Sequence, residues 1–181
     1  MEHPKFRYHP DPVASGSVVA SKANCACCGQ ARGFVYDGPV YSEEEEDLSG
    51  RLCPWCIADG SAHAKFDAEF VDSEGLEDGM PDAAAEEICQ RTPGYATWQG
   101  ERWPVCCGEG MAFISPVDGK EMKGKYLRLE GTAMMYIVHE LGISGGAATR
   151  LLASLQKDHS PTGYVFQCVV CETQQLRIDQ G

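Results

Sequence analysis

The ten cysteines are the chain's main chemical resource, and six of them stand in C-x-x-C pairs: Cys25 with Cys28, Cys53 with Cys56, and Cys168 with Cys171. Two residues between cysteines let one short turn aim both sulfurs at one ion. Two such turns present four thiolates tetrahedrally, the donor set that zinc prefers. The first two pairs are separated by 24 residues, and Gly29 follows the first of them where the chain must reverse. The N-terminus carries no apolar export signal, so a reducing compartment is expected, and there disulfides do not persist. Four cysteines also close the coordination shell, whereas a catalytic zinc keeps a position for water. Cys25, Cys28, Cys53 and Cys56 therefore read as a structural zinc site, with Cys27 as a bystander.

A second set follows: Cys106 and Cys107, then Cys168 and Cys171. The stretch Tyr164 to Ile178 alternates apolar and polar residues on both sides of Cys168–Cys171, the pattern of a hairpin with a knuckle at its turn, as in a zinc ribbon. Adjacent side chains tend to diverge, so Cys106 and Cys107 fit one ion less comfortably than a spaced pair. Cys89, His139 and His159 are alternative donors, and buried inert cysteines are the plain alternative to any second site.

These ligands need elements to hold them. Phe6 to Pro12 is too rich in proline for helix and reads as an extended arm. Arg32–Tyr36 and Pro39–Tyr41 read as short strands between the first knuckles. Helix is expected after Gly60, ending near Asp67, and again from Pro81 through Ile88, where proline and acids suit a first turn. Arg91 to Trp103 is aromatic and turn-rich. Over 131–157, Met134, Ile137, Val138 and Leu141 recur at helical spacing; Gly142 can stop that helix and Ser144 can cap the next, whose apolar side is Leu151, Leu152 and Leu155. The expected fold is α+β: zinc-knuckle and zinc-ribbon hairpins near both ends, with helices in the middle and late region. The chain of 181 residues suits a single zinc-stabilised domain, or two lobes divided as 1–80 and 81–181.

Catalytic constellations are thin. His9 with Asp11, or His63 with Asp59 and Ser61, are neighbours in sequence only, and proximity is not a triad. His9 reads as a hydrogen-bonded residue that fixes the arm, and Trp55, Trp98 and Trp103 as core or interface anchors. There is no phosphate-binding glycine loop and no H-E-x-x-H pattern. Val138 to Ser144 superficially resembles the turn of a helix-turn-helix. The helix after it begins with two glycines and offers only Arg150 and Lys157 as cations, so a packed helical hairpin is expected instead.

The formal charge is −12 and is strongly localised. Residues 43–87 hold 15 of the 27 acidic residues against Arg51 and Lys65 alone, a local −13, which leaves +1 on the remainder. Such a band is either a solvated face or a docking face for a basic partner; phosphates are repelled, which argues against nucleic acid. Two zinc sites of four thiolates each would take the total to roughly −16. No apolar run nears the ~20 residues that span a bilayer, so a cytoplasmic protein without a membrane span is expected.

The combination of Tyr8-His9-Pro10-Asp11-Pro12, Gly16-Ser17, Cys25-x-x-Cys28-Gly29, Gly38-Pro-Val-Tyr-Ser42, Leu52-Cys-Pro-Trp-Cys-Ile-Ala-Asp-Gly-Ser61, Lys65-Phe66-Asp67, Arg91-Thr-Pro-Gly-Tyr95, Trp98-Gln99 and Ser160-Pro-Thr162 through Cys171 resembles the bacterial CbrC family over almost the whole chain. That family's name is tied to tolerance of a colicin, a protein toxin. The resemblance implies a cytoplasmic zinc-binding protein with a protective role rather than a reaction. In the family pattern another cysteine follows a few residues after the Cys106 region, where this chain has Met111, which leaves the second ligand set open. Three function classes follow: a non-enzymatic, immunity-type binder of a protein toxin, a basic nuclease for example; a zinc-ribbon regulator or nucleic-acid-associated protein; and a zinc enzyme using the second cluster.

Overall fold

A computed structural model describes residues 3–45 and 47–181; the first two residues of the N-terminus and Glu46 of the acidic run lie outside the described residues. The fold is α+β. Two short strands, β1 (Val18–Ala20) and β2 (Phe34–Tyr36), pair antiparallel with Val19 opposite Val35. Next come α1 (Pro54–Ala58), α2 (Ser61–Phe66) and α3 (Asp82–Arg91). The main sheet has four antiparallel strands in sequential order: β3 (Val105–Cys106), β4 (Glu109–Val117), β5 (Thr162–Cys168) and β6 (Gln174–Asp179). Between β4 and β5 run α4 (Gly119–Met122), α5 (Glu130–His139) and α6 (Gly145–Ser154).

Side-chain alternation along β5 sorts the sheet's two faces. Val165 points to the face covered by α4–α6, where Val117, Ile137, Ala148, Leu152 and Leu176 form one core. Tyr164, Phe166 and Cys168 point to the other, packed against Tyr8, Ile88, Tyr95, Trp103 and Phe113. This second core is aromatic: Tyr95 stacks on Phe113 with centroids 4.4 Å apart, and Trp103 meets Phe166 edge-on. A third core gathers Phe6, Tyr36, Leu52, Ile57 and Phe70 around the first knuckles.

The arm joins two of these cores, with Phe6 in the third and Tyr8 in the aromatic one. β3 pairs with only the first two residues of β4, and further along that edge the arm substitutes for a strand: the Phe113 N–H donates to the Tyr8 carbonyl at 2.7 Å. β4 is bulged between Phe113 and Ser115 and carries Pro116, both features suited to a lightly paired edge.

The helices at 61–66, 82–91, 130–139 and 145–154 and the hairpin at 162–179 agree with the sequence, whereas α1, directly after Cys53, was not foreseen. Three further details differ. Pro39–Tyr41 is not a strand, since only Tyr41 makes an isolated bridge, to Glu69. Ala133 and Ile137 form the centre of the α5 face, while Val138 is 38% exposed. Trp103 is a core anchor as expected, but Trp98 is 54% exposed, tethered by its indole N–H donating to Thr162 Oγ1 at 3.1 Å. α5 and α6 pack together on the sheet, as the hairpin reading expects.

Candidate metal centres

The first cluster is built by two loops that hold each other. Cys25 to Cys28 form a turn closed by the Gly29 N–H donating to the Cys25 carbonyl at 2.7 Å, with Gly29 at φ +72° as that reversal demands. The second loop ends at Cys53, directly before α1, whose Pro54 lacks the N–H that a first helical turn leaves unpaired. One turn on, Cys56 returns to the same side. The Ala26 N–H donates to the Arg51 carbonyl at 2.8 Å and the Cys53 N–H to Cys25 Sγ at 3.2 Å, locking the loops together. Hydrogen bonding from Cys53, with further help from the Cys28 and Cys27 amides, draws the Cys25 thiol far below its usual range, while Cys53 is pushed up by its shared proton and burial.

The second cluster sits at one end of the main sheet. Cys106 ends β3, and Cys107 and Gly108 form the two-residue loop to β4, both at positive φ (56° and 68°), the backbone of a tight hairpin turn whose twist matches the strands. This turn answers the objection to adjacent ligands: the left-handed Cys107 backbone swings its side chain back, and the two sulfurs lie 3.8 Å apart. Across the sheet, the β5–β6 turn supplies Cys168 and Cys171, its Val170 and Cys171 N–H groups both donating to Cys168 Sγ at 3.4 Å. Hydrogen bonds from Thr173 lower the Cys171 thiol to about 6.

In each group the four sulfurs lie within 4.8 Å of one another. The close pairs measure 3.5 Å (Cys53–Cys56) and 3.9 Å (Cys25–Cys56, Cys28–Cys53) in the first, and 3.8 and 3.9 Å (Cys106–Cys107, Cys106–Cys171) in the second. A disulfide needs ~2.05 Å; a tetrahedron of sulfurs each ~2.3 Å from zinc has edges of ~3.8 Å. The spacing therefore fits a metal ion, and all ten cysteines are unbonded to one another. Both groups can hold a metal ion through sulfur alone, with no donor of another kind among the four.

The remaining candidates go elsewhere. Cys27 faces Ser61 Oγ at 3.6 Å, outside the first group. Cys89 is buried in the aromatic core, where burial raises its thiol to about 12. Met111 is also fully buried there, opposite Cys168 in the sheet register, so it is packing rather than a missing ligand. His139 ends α5 and lines a cleft of about 800 Å³, and His159 lines another, so neither joins a cysteine group. His63 Nδ1 approaches the Ala68 carbonyl at 3.2 Å, and Asp59 instead accepts from the Ser61 backbone N–H, so no acid–base set forms.

His9 is fully buried, with Nδ1 2.7 Å from the Pro93 carbonyl and Nε2 2.7 Å from Ser15 Oγ. A carbonyl only accepts, so Nδ1 carries the proton and Nε2 accepts from Ser15. Burial lowers its pKa to about 4 and keeps it neutral, and it ties the arm to the Arg91–Tyr95 loop. Sequence reading missed Glu101. This carboxyl is 5% exposed, and among the described residues its Oε1 has no hydrogen-bond partner. The one signal was its place inside the aromatic stretch between Trp98 and Trp103. No helix among the described residues is long and apolar enough to cross a membrane.

Residues 3–180 match the family model described as "Uncharacterised protein family (UPF0167)". "UPF0167 protein PA1536" of Pseudomonas aeruginosa is 45% identical over 169 residues, covering 93% of this chain and 92% of the relative. "UPF0167 protein Mb2317" of Mycobacterium bovis and "UPF0167 protein MT2352" of Mycobacterium tuberculosis are each 40% identical over 169 residues, covering 93% of this chain and 88% of theirs. No solved structure matches the chain.

Proposed function

Taking as premise that this chain belongs to the UPF0167 family, we propose that it is a non-catalytic zinc protein of the cytoplasm whose acidic segment binds a basic protein partner. Both cysteine groups take zinc. Sulfur donors at tetrahedral spacing select a soft or borderline ion, and zinc is the one that needs no redox partner and no open position. With four protein ligands in each shell, neither ion offers a water to activate, which favours scaffold over catalyst. The whole chain, 1–181, is read as one zinc-stabilised unit.

The observation that carries the binding role is the condition of the acidic band. Glu43, Glu44, Glu45, Asp47, Asp72, Glu74, Asp78, Asp82 and Glu86 are all exposed. Of the described acids in this band, only Glu77 and Glu87 lie within ion-pair distance of an arginine, Arg177 and Arg91. Unpaired carboxylates on a rigid frame attract a cationic surface from a distance and speed its association. The resemblance to the CbrC family supports a toxin as that partner, and a nuclease toxin must carry cations for its own substrate.

Metal analysis of the purified chain should give two zinc ions, and stripping the Cys25, Cys28, Cys53 and Cys56 group with a chelator should unfold it in one cooperative step, because structural metal binding is folding free energy. A tagged chain should capture a basic toxin encoded beside its gene at low salt and release it at high salt. No capture in either condition refutes the binding role, and two separate unfolding steps refute the single unit.

A further inference from the structure

We propose that the two metal centres differ in kind: the first is a permanent clamp, and the second is a thiol modification site that releases its zinc on oxidation by peroxide and takes it back on reduction. This rests on the zinc reading above and concerns which site can react.

The first group is largely enclosed, with Cys28 alone half-buried. Cys25, Cys53 and Cys56 are 2%, 1% and 3% exposed, and they are members of the core that contains Leu52, Ile57 and Phe70. No oxidant reaches those sulfurs without opening that core. The second group has the opposite character. Cys107 and Cys171 are exposed, Cys106 is half-buried, and only Cys168 is enclosed. Val170, between the paired cysteines, is 61% exposed, so the turn stands in solvent. Oxidation of a thiolate follows its access.

The second group can also lose its metal without losing the fold. Its ligands sit on two turns, while the strands behind them are held by their own ladders, β4 to β5 from Met111–Cys168 to Val117–Gly163 and β5 to β6 from Thr162–Asp179 to Gln167–Gln174. The first group has no such support: β1 and β2 are three residues each, and its loops are joined mainly to one another.

The step balances. The Cys171 thiolate attacks one oxygen of hydrogen peroxide, the O–O bond breaks, and the sulfur becomes a sulfenic acid while the departing hydroxide takes up a proton as water. The Cys106 thiolate, 3.9 Å away, attacks that sulfur; the S–O bond breaks, a second water leaves with another proton, and an S–S bond forms. Two thiolates are oxidised by one electron each and one peroxide is reduced to two waters. The vicinal pair is disfavoured as the product because a disulfide between neighbours closes a strained ring through one peptide bond. Cys107 and Cys168 then supply two donors where zinc needs four, and the ion passes to water. A dithiol reductant reverses the sequence by exchange.

The test uses the zinc-loaded full chain with a coloured zinc indicator. Its metal content is measured first: fewer than two zinc ions in the folded protein refutes the zinc reading itself. With two present, hydrogen peroxide should release one at least about tenfold faster than the other, with unchanged far-ultraviolet circular dichroism and a linked Cys106–Cys171 peptide by mass spectrometry. Dithiothreitol plus zinc should restore the starting state. Cys171→Ser should lack the fast release. Should that variant fail to fold, timed alkylation of the native chain gives the same answer, with Cys107 and Cys171 labelled well before Cys25, Cys53 and Cys56. Release of both ions together, absence of a fast phase, or uniform labelling would overturn the proposal.

Discussion

Replacing Glu101 by glutamine should stabilise the protein, and by an amount that grows with pH. The carboxyl is enclosed where the first-knuckle core meets the aromatic core; burial is the main cause that raises its pKa to about 7, with the Asp72 charge adding to it and the residue's own backbone N–H opposing. Its ordinary value is 4.5. The folded protein thus holds this proton more tightly than the unfolded chain, so the stabilising contribution is complete below the unfolded value and is lost as pH rises through about 7. Relative to an unshifted carboxyl, the raised pKa costs about 1 kcal/mol near pH 5.5, where a proton must be taken up, and about 3 kcal/mol near pH 8, where the buried group is ionised. Glutamine keeps the shape and removes the charge. The stability difference between variant and wild type, both zinc-loaded, should therefore be about 2 kcal/mol larger at the higher pH, or about 4–8 °C in melting temperature for a chain of this length. Denaturant melts at the two pH values measure it, and taking the difference cancels the titration of His9 and the cysteines, which both proteins share. A difference independent of pH would refute the assignment of a protonated buried acid.

His9 has the opposite sign: its folded pKa of about 4 lies below the ordinary 6.5, so stability present above about pH 6.5 is lost as pH falls towards 4, by up to about 3 kcal/mol. Acid titration of His9→Gln should show a shallower loss over that range than wild type, from a lower starting stability. Gly94→Ala should destabilise by about 1–3 kcal/mol or more, because the added Cβ would stand 2.5 Å from both Glu101 Oε1 and the Phe70 carbonyl and 2.9 Å from the Tyr36 hydroxyl; thermal melts will read it. Cys53→Ser should abolish the folded state, since it breaks a closed shell inside a core of a single cooperative unit, and amide exchange should show protection lost in the main sheet as well as across residues 18–70.

Much of the fold was legible because it is encoded locally. A C-x-x-C pair needs only its own turn, so Cys25, Cys28, Cys53, Cys56, Cys168 and Cys171 could be grouped from spacing, and the 162–179 hairpin and the α5–α6 pair announced themselves through periods of two and 3.6. The β4 strand did not: its apolar run is broken by Pro116, and the partners that make it a strand lie across the chain in β5 and in the arm at Tyr8. The adjacent Cys106 and Cys107 looked mismatched because extended neighbours diverge, and only the left-handed turn at Cys107 reverses that.

Residue type and spacing alone determined that this chain carries sulfur donors in sets suited to zinc and an acidic band with few cations to answer it. Tertiary structure alone decided that one set lies mostly inside a core and the other mostly in solvent, and that Glu101 is shut away with its Oε1 unpartnered among the described residues. Ligand chemistry depends on a few neighbouring atoms, whereas burial is a sum over contacts between residues a hundred positions apart, as the Arg177–Glu77 pair illustrates.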